Sequence, residues 1–143
     1  MRIAGTDTTF SDGIGKAFII YFQGCNLFCH GCHNPELQDF EGGYETTVDE
    51  IIEYIEDFYD SVVFSGGEPL CQIKELRELM SRIELPKVLY TGIELNRIPW
   101  YIGVDCDIIV AGPYDDDKKT GGFPASSNQR VLRRTTNAHK LHL

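Results

Sequence analysis

Four short runs in the chain are apolar almost without interruption: Ala17–Phe22, 61–64, 87–90 and 107–110. A strand wetted on one face alternates apolar and polar side chains, whereas a strand covered on both faces reads as a continuous apolar stretch. The four runs therefore predict buried strands of a parallel sheet. The segments between them carry a different period. Residues 47–59 open with Thr47-Val48-Asp49-Glu50, a capping-box order whose hydroxyl and carboxylate can satisfy free backbone donors. Val48, Ile51, Ile52, Ile55 and Phe58 then recur at helical spacing. Ile73, Leu76, Leu79, Met80 and Ile83 make a second stripe, stopped by Pro86, and a weaker segment at 94–101 predicts a third helix limited by Pro99. With a last strand at 129–133, the pattern is an α/β domain of βα repeats joined by right-handed crossovers.

Length and charge narrow the class. The 143 residues fit one domain, 1–143, large enough to fold without disulfide staples. A formal net charge of −9 lacks the basic stripe of a nucleic-acid surface. No apolar run approaches the roughly 20 residues of a membrane span, and the first residues lack the apolar core of a secretory signal. The expected compartment is the cytoplasm, where clustered cysteines bind metal more often than they pair.

Four segments directly follow the predicted strands: the cysteine loop, Ser65-Gly66-Gly67-Glu68-Pro69, Thr91-Gly92 and Ala111-Gly112-Pro113-Tyr114. Loops at the carboxyl ends of strands line the ligand site of α/β folds, so the unusual residues converge on one edge. Cys25, Cys29 and Cys32 lie in one short loop with three and then two residues between them. Soft thiolates select zinc, copper(I) or iron–sulfur clusters. Three ligands on a cubane leave one iron open, whereas an ordinary electron carrier uses four cysteines. Rival readings are a zinc knuckle completed by His30 or His33, and an electron-transfer cluster completed by Cys71 or Cys106. Outside those readings, Cys71 and Cys106 are expected to be buried small hydrophobes. The run Asp115-Asp116-Asp117-Lys118-Lys119 is expected to be a solvated loop, and Asn128, Gln129 and Arg130 either begin a surface strand or serve a cofactor or partner.

The C-x3-C-x2-C spacing resembles the signature of the radical S-adenosylmethionine superfamily, and Gly66-Gly67-Glu68-Pro69 is similar to its Gly-Gly-Glu-Pro motif. The resemblance implies a shortened, open version of that superfamily's partial barrel, too short in βα units to close a full ring. It implies a [4Fe–4S] cluster on Cys25, Cys29 and Cys32 whose open iron chelates S-adenosylmethionine. It also implies reductive cleavage to a 5′-deoxyadenosyl radical. It places Gly31, Cys32 and His33 at the cofactor, where many members carry an aromatic residue before the third cysteine and this chain has Gly31. Gly66, Gly67 and Glu68 would bind the methionine ammonium through carbonyl and carboxylate acceptors. Asp12-Gly13-Ile14-Gly15-Lys16 and the segments around Gln23-Gly24-Cys25 and His33-Asn34-Pro35 look like the activating enzymes of glycyl-radical enzymes. Gly112-Pro113-Tyr114 and Ser126-Ser127-Asn128-Gln129-Arg130-Val131 resemble the activating proteins of anaerobic ribonucleotide reductase. The implied partners are the large subunit of that reductase, which would receive a glycyl radical, and an electron donor such as flavodoxin. Activation of another glycyl-radical enzyme of the pyruvate formate-lyase type, or radical chemistry on a small-molecule substrate, stands beside this reading.

Overall fold

A computed structural model describes residues 1–134 apart from Phe28, His30, His33 and Asn34. Its centre is a seven-stranded sheet made of β1 (Arg2–Thr9), β2 (Ala17–Phe22), β3 (Tyr44–Glu45), β4 (Ser61–Gly66), β5 (Lys87–Thr91), β6 (Ile108–Ala111) and β7 (Arg130–Arg133). The order across the sheet is β3-β1-β2-β4-β5-β6-β7. The four apolar runs form the middle, β2-β4-β5-β6, and pair in parallel. Parallel neighbours need a crossover, and α1 (Val48–Tyr54) and α2 (Ile73–Arg82) supply the first two. A 3-10 turn at Leu95–Arg97 and the single-turn α3 (Trp100–Gly103) supply the third.

The expectation of a parallel sheet needs correction at its margins. β1 and β7 are antiparallel to their neighbours, and β3 is antiparallel to β1, so the sheet is mixed. The strand expected at 129–133 is β7. β1 was not visible in the pattern because only Ile3 among its residues is buried. A strand with one core contact has no apolar period to read.

Alternation of side chains divides the core. One face carries Ile20, Phe22, Phe64 and Leu89 and meets Ile51 of α1 and Leu76 and Leu79 of α2. The other holds a smaller cluster of Ala17, Ile19, Val63 and Val88, bordered by Tyr21, Tyr90 and Ile108. Both faces of β2 and β4 are thus covered, which is why those strands read as continuous apolar runs.

The helices are shorter than their stripes. Thr47 caps α1, its hydroxyl accepting from Glu50 N–H at 3.1 Å. The reciprocal half of the capping box is redirected: the Glu50 carboxylate accepts from the Thr46 hydroxyl at 3.2 Å. Ile55 is already extended, so α1 ends before the stripe does. Phe58, expected on the buried stripe, is 55% exposed and lies under the Lys16 ammonium at 3.9 Å.

Leu79 is fully buried between α2 and the sheet. Leu79→Ala should lower the unfolding free energy by about 2–5 kcal/mol through lost burial and a residual cavity. Thr47→Ala should cost about 1 kcal/mol through its lost cap. Urea titrations of both variants check the order and size of the two effects.

Candidate metal and cofactor site

The cysteine loop is pinned at its base before any ligand is considered. Gly24 N–H donates to Leu37 O at 2.7 Å and Cys25 N–H to Gln38 O at 3.1 Å, which closes the loop like a purse. Gln23, 3% exposed at the end of β2, donates from its amide nitrogen to Glu36 O at 3.1 Å and Asp39 O at 2.7 Å. The signal for Gln23 was a polar residue at the end of an otherwise apolar strand. A buried amide survives only if its donors are used.

Cys25, Cys29 and Cys32 border one open cavity of about 210 Å³ with Gly66, Gly67 and Thr91 at the carboxyl ends of β4 and β5. Cys32 N–H donates to Cys29 O at 3.1 Å, which turns the loop between the last two thiols. Burial pushes the Cys29 thiol up, the backbone N–H of Tyr114 holds it down, and the neighbouring Cys32 raises it further. Among the described residues no three His, Cys, Asp or Glu side chains are grouped to hold a single metal ion. The three thiols instead share a wall of the cavity. Thiolates with a backbone N–H aimed at sulfur are the donor set of an iron–sulfur cluster, whose potential such hydrogen bonds tune. The residues present fit that group.

Glu68 departs from its expected geometry. It is 1% exposed and lies beneath the cavity, not on its wall. Its Oε2 accepts from Leu70 N–H at 2.9 Å and the Thr91 hydroxyl at 2.7 Å, and its Oε1 accepts from Gly92 N–H at 2.7 Å. Burial pushes its carboxyl up from the ordinary range, against these three donors. Thr91 and Gly92, visible in sequence only as a loop after a strand, are thus tied to the glycine loop. Above Glu68, Gly66 has φ of 102°, and a Cβ there would strike the backbone of Phe22. Only glycine lets the β4 end lie so close to β2.

Two expectations need amending. The run 115–119 lies at the surface as expected, with Asp117, Lys118 and Lys119 exposed, but it is not solvated throughout. Asp116 is half-buried, its Oδ1 accepts from the Tyr114 hydroxyl at 2.8 Å, and a Cβ on Gly31 would sit 2.5 Å from the Asp116 Cβ. Asp116 therefore occupies the space that a side chain at Gly31 would need, a physical reason for glycine at this position. Cys71 is not a buried hydrophobe; it is exposed, and its thiol faces Asn26 Oδ1 at 3.7 Å. Cys106 is buried as expected, its thiol pushed up to about 12 by burial and donating to Ile102 O at 3.3 Å. Such a thiol is inert.

The segment 126–130 acts on the β6 exit. Asn128 Nδ2 donates to Pro113 O at 2.8 Å and Gln129 Nε2 to Gly112 O at 3.1 Å. The Ser126 hydroxyl accepts from Asp115 N–H at 3.2 Å. Gln129 and Tyr114 thereby reach the cavity wall. The Oδ1 of Asn128 is buried with no partner among the described residues. His33, which the resemblance places at the cofactor, lies outside the described residues, as do Phe28 and His30.

Over residues 11–132 the sequence matches the family described as 4Fe-4S single cluster domain. It is 37% identical over 76 residues to a pyruvate formate-lyase-activating enzyme of Clostridium pasteurianum, covering 48% of this chain and 32% of that protein. The enzyme of the same description in Listeria monocytogenes is 41% identical over 78 residues, 49% of this chain and 31% of its own. That of Staphylococcus aureus is 38% identical over 81 residues, 51% and 32%. The match spans about a third of these relatives' length.

Glu68→Ala leaves three donors without an acceptor and should cost about 3 kcal/mol or more. The titration has a definite sign. The folded state holds the Glu68 proton more tightly than the unfolded chain, so the group's contribution is full below pH about 4.5 and declines as pH rises toward the raised value. The stability difference between wild type and Glu68→Gln, followed by urea titration, should accordingly shrink over that window.

Proposed function

This chain belongs to the family of 4Fe-4S single cluster domains, and on that premise we propose that it activates a glycyl-radical enzyme by reductive cleavage of S-adenosylmethionine. The observation that carries the reading is one cavity bordered by Cys25, Cys29, Cys32, Gly66 and Gly67 at the carboxyl ends of parallel strands. We read the sheet as a shortened, open partial barrel of the radical S-adenosylmethionine type.

Cys25, Cys29 and Cys32 would hold a [4Fe–4S] cluster. When bound, that cluster supplies the single electron that breaks a carbon–sulfur bond of S-adenosylmethionine. Every other part of the task falls to the protein: binding, orientation and exclusion of water. Tyr114 N–H stabilises charge on the Cys29 sulfur. Gly66 and Gly67, with no side chains in the way, offer backbone acceptors to the methionine ammonium. Glu68 sits beneath them, and a carboxylate there attracts the cation above, which in turn favours its ionised form. The resemblance to the superfamily assigns Gly31, Cys32 and His33 to the adenine side of the cofactor.

Two partners have specific support. The Gly112-Pro113-Tyr114 exit and the 126–130 segment, both similar to the reductase activators, are hydrogen-bonded to one another and reach the cavity. That favours the large subunit of anaerobic ribonucleotide reductase. The similarity to pyruvate formate-lyase-activating enzymes favours pyruvate formate-lyase. A donor such as flavodoxin would deliver the electron.

Anaerobic reconstitution with iron and sulfide should give a protein that releases 5′-deoxyadenosine from S-adenosylmethionine. Cys25→Ser, Cys29→Ser and Cys32→Ser should each bring release down to that of a protein-free mixture. Incubation with each purified partner should give a glycyl-radical EPR doublet on one of them. Reconstituted wild type that releases no nucleoside would sink the reading; a doublet on the lyase alone would replace the reductase as target.

A further inference from the structure

β7 is an edge of the sheet, paired to β6 alone among the described strands. An edge strand is a template for another strand. Its two sides differ. Toward the helices, a groove of about 420 Å³ runs between Trp100, Val104, Ile109 and Leu132. Trp100 is 78% exposed, and Val104 and Leu132 are 53% and 51% exposed. On the opposite side the Arg133 guanidinium stands 6.0 Å from the Phe123 ring.

Charge singles out the same edge. Residues 118–134 contain Lys118, Lys119, Arg130, Arg133 and Arg134 and no acidic residue, in a chain with 22 acidic and 13 basic residues. Lys118, Lys119, Arg130 and Arg133 make no ion pair with any described acidic residue. Edge charges alone would serve to repel other strands. An exposed tryptophan beside an apolar groove works against that purpose. A second copy docked edge to edge would set arginine against arginine, which disfavours a symmetric pair.

We propose that β7 receives, as an added strand, an extended segment of the radical-accepting protein whose side chains alternate between apolar and acidic. This rests on the activating reading above. The apolar set enters the Trp100–Leu132 groove, and the acidic set faces Arg133 on the other side of the strand. Gln129 precedes β7 and lies on the wall of the cysteine cavity, so a segment following this edge ends beside the cluster site. The partner's target backbone is delivered by main-chain hydrogen bonds, and its sequence is recognised by charge.

Trp100 is the only tryptophan and lines the groove, so its emission reports docking. The probe is a peptide of about ten residues alternating valine and glutamate, long enough to span β7. Titrated into the reconstituted protein, it should shift Trp100 emission to the blue and saturate. Replacing its glutamates by glutamine, or using Lys119→Glu with Arg133→Glu, should weaken binding at least about tenfold. The peptide change keeps the test independent of how the variant folds. The same variant should lose the glycyl-radical doublet on the partner while its release of 5′-deoxyadenosine is unchanged. No emission shift, equal binding of a valine–lysine peptide, or a concentration-dependent shift without peptide that marks self-association would each overturn the proposal. Peptide docking without nucleoside release would sink the activating reading and with it the identity of the docked partner, whereas release without docking would sink this proposal alone.

Discussion

A carboxylate buried under a cavity organises the rest of this structure. Glu68 accepts hydrogen bonds from the turn that follows it and from the end of β5, so it binds two successive βα connections to one another. Its own N–H donates to Gly24 O at 2.8 Å, which adds the start of the cysteine loop. Desolvating a carboxyl is unfavourable, and the cost is offset only while every donor stays in place. The carboxylate therefore penalises any movement of one loop relative to the others. Its place in chemistry follows from its place in architecture.

The later part of the chain completes what the cysteine loop begins. Asp116 fills the space over Gly31, Tyr114 directs an N–H to Cys29, and the side chains of Asn128 and Gln129 grip the backbone that carries both. A cavity built this way depends on residues that bring no ligand atom of their own. Their geometry is fixed by side chain-to-backbone bonds, not by packing of a large core. Such bonds are specific but individually modest.

The middle of the fold was legible because β2, β4, β5 and β6 are buried on both faces and leave an unbroken apolar record. The thiol and glycine loops were legible because their residue types are costly elsewhere: soft ligands in one short loop, and glycines at a strand end. Orientation at the margins was not. The half-exposed β7 has no unbroken apolar run to mark its direction, so its antiparallel pairing stayed hidden, and β1 with its single core residue left no period at all. Neither was inward direction. Glu68 looked like a wall residue because charged side chains usually face water, and its burial depends on Thr91 and Gly92, distant in sequence. Asp116 looked solvated for the same reason, since a run of charges carries no mark of the one member that packs. Cys71 erred in the opposite sense: a small apolar side chain was assigned to the interior although its place in the 3-10 turn at Pro69–Gln72 leaves it outside.

The placement of the Tyr114 amide has a consequence for biogenesis. A ribosome makes Cys25, Cys29 and Cys32 long before it makes the β6 exit and the segment that anchors it. During that interval Cys29 lacks the amide that lowers its thiol, and the cavity lacks one wall. The three-thiol cavity is complete only once β6 has joined β5 and the 126–130 segment has closed on its exit.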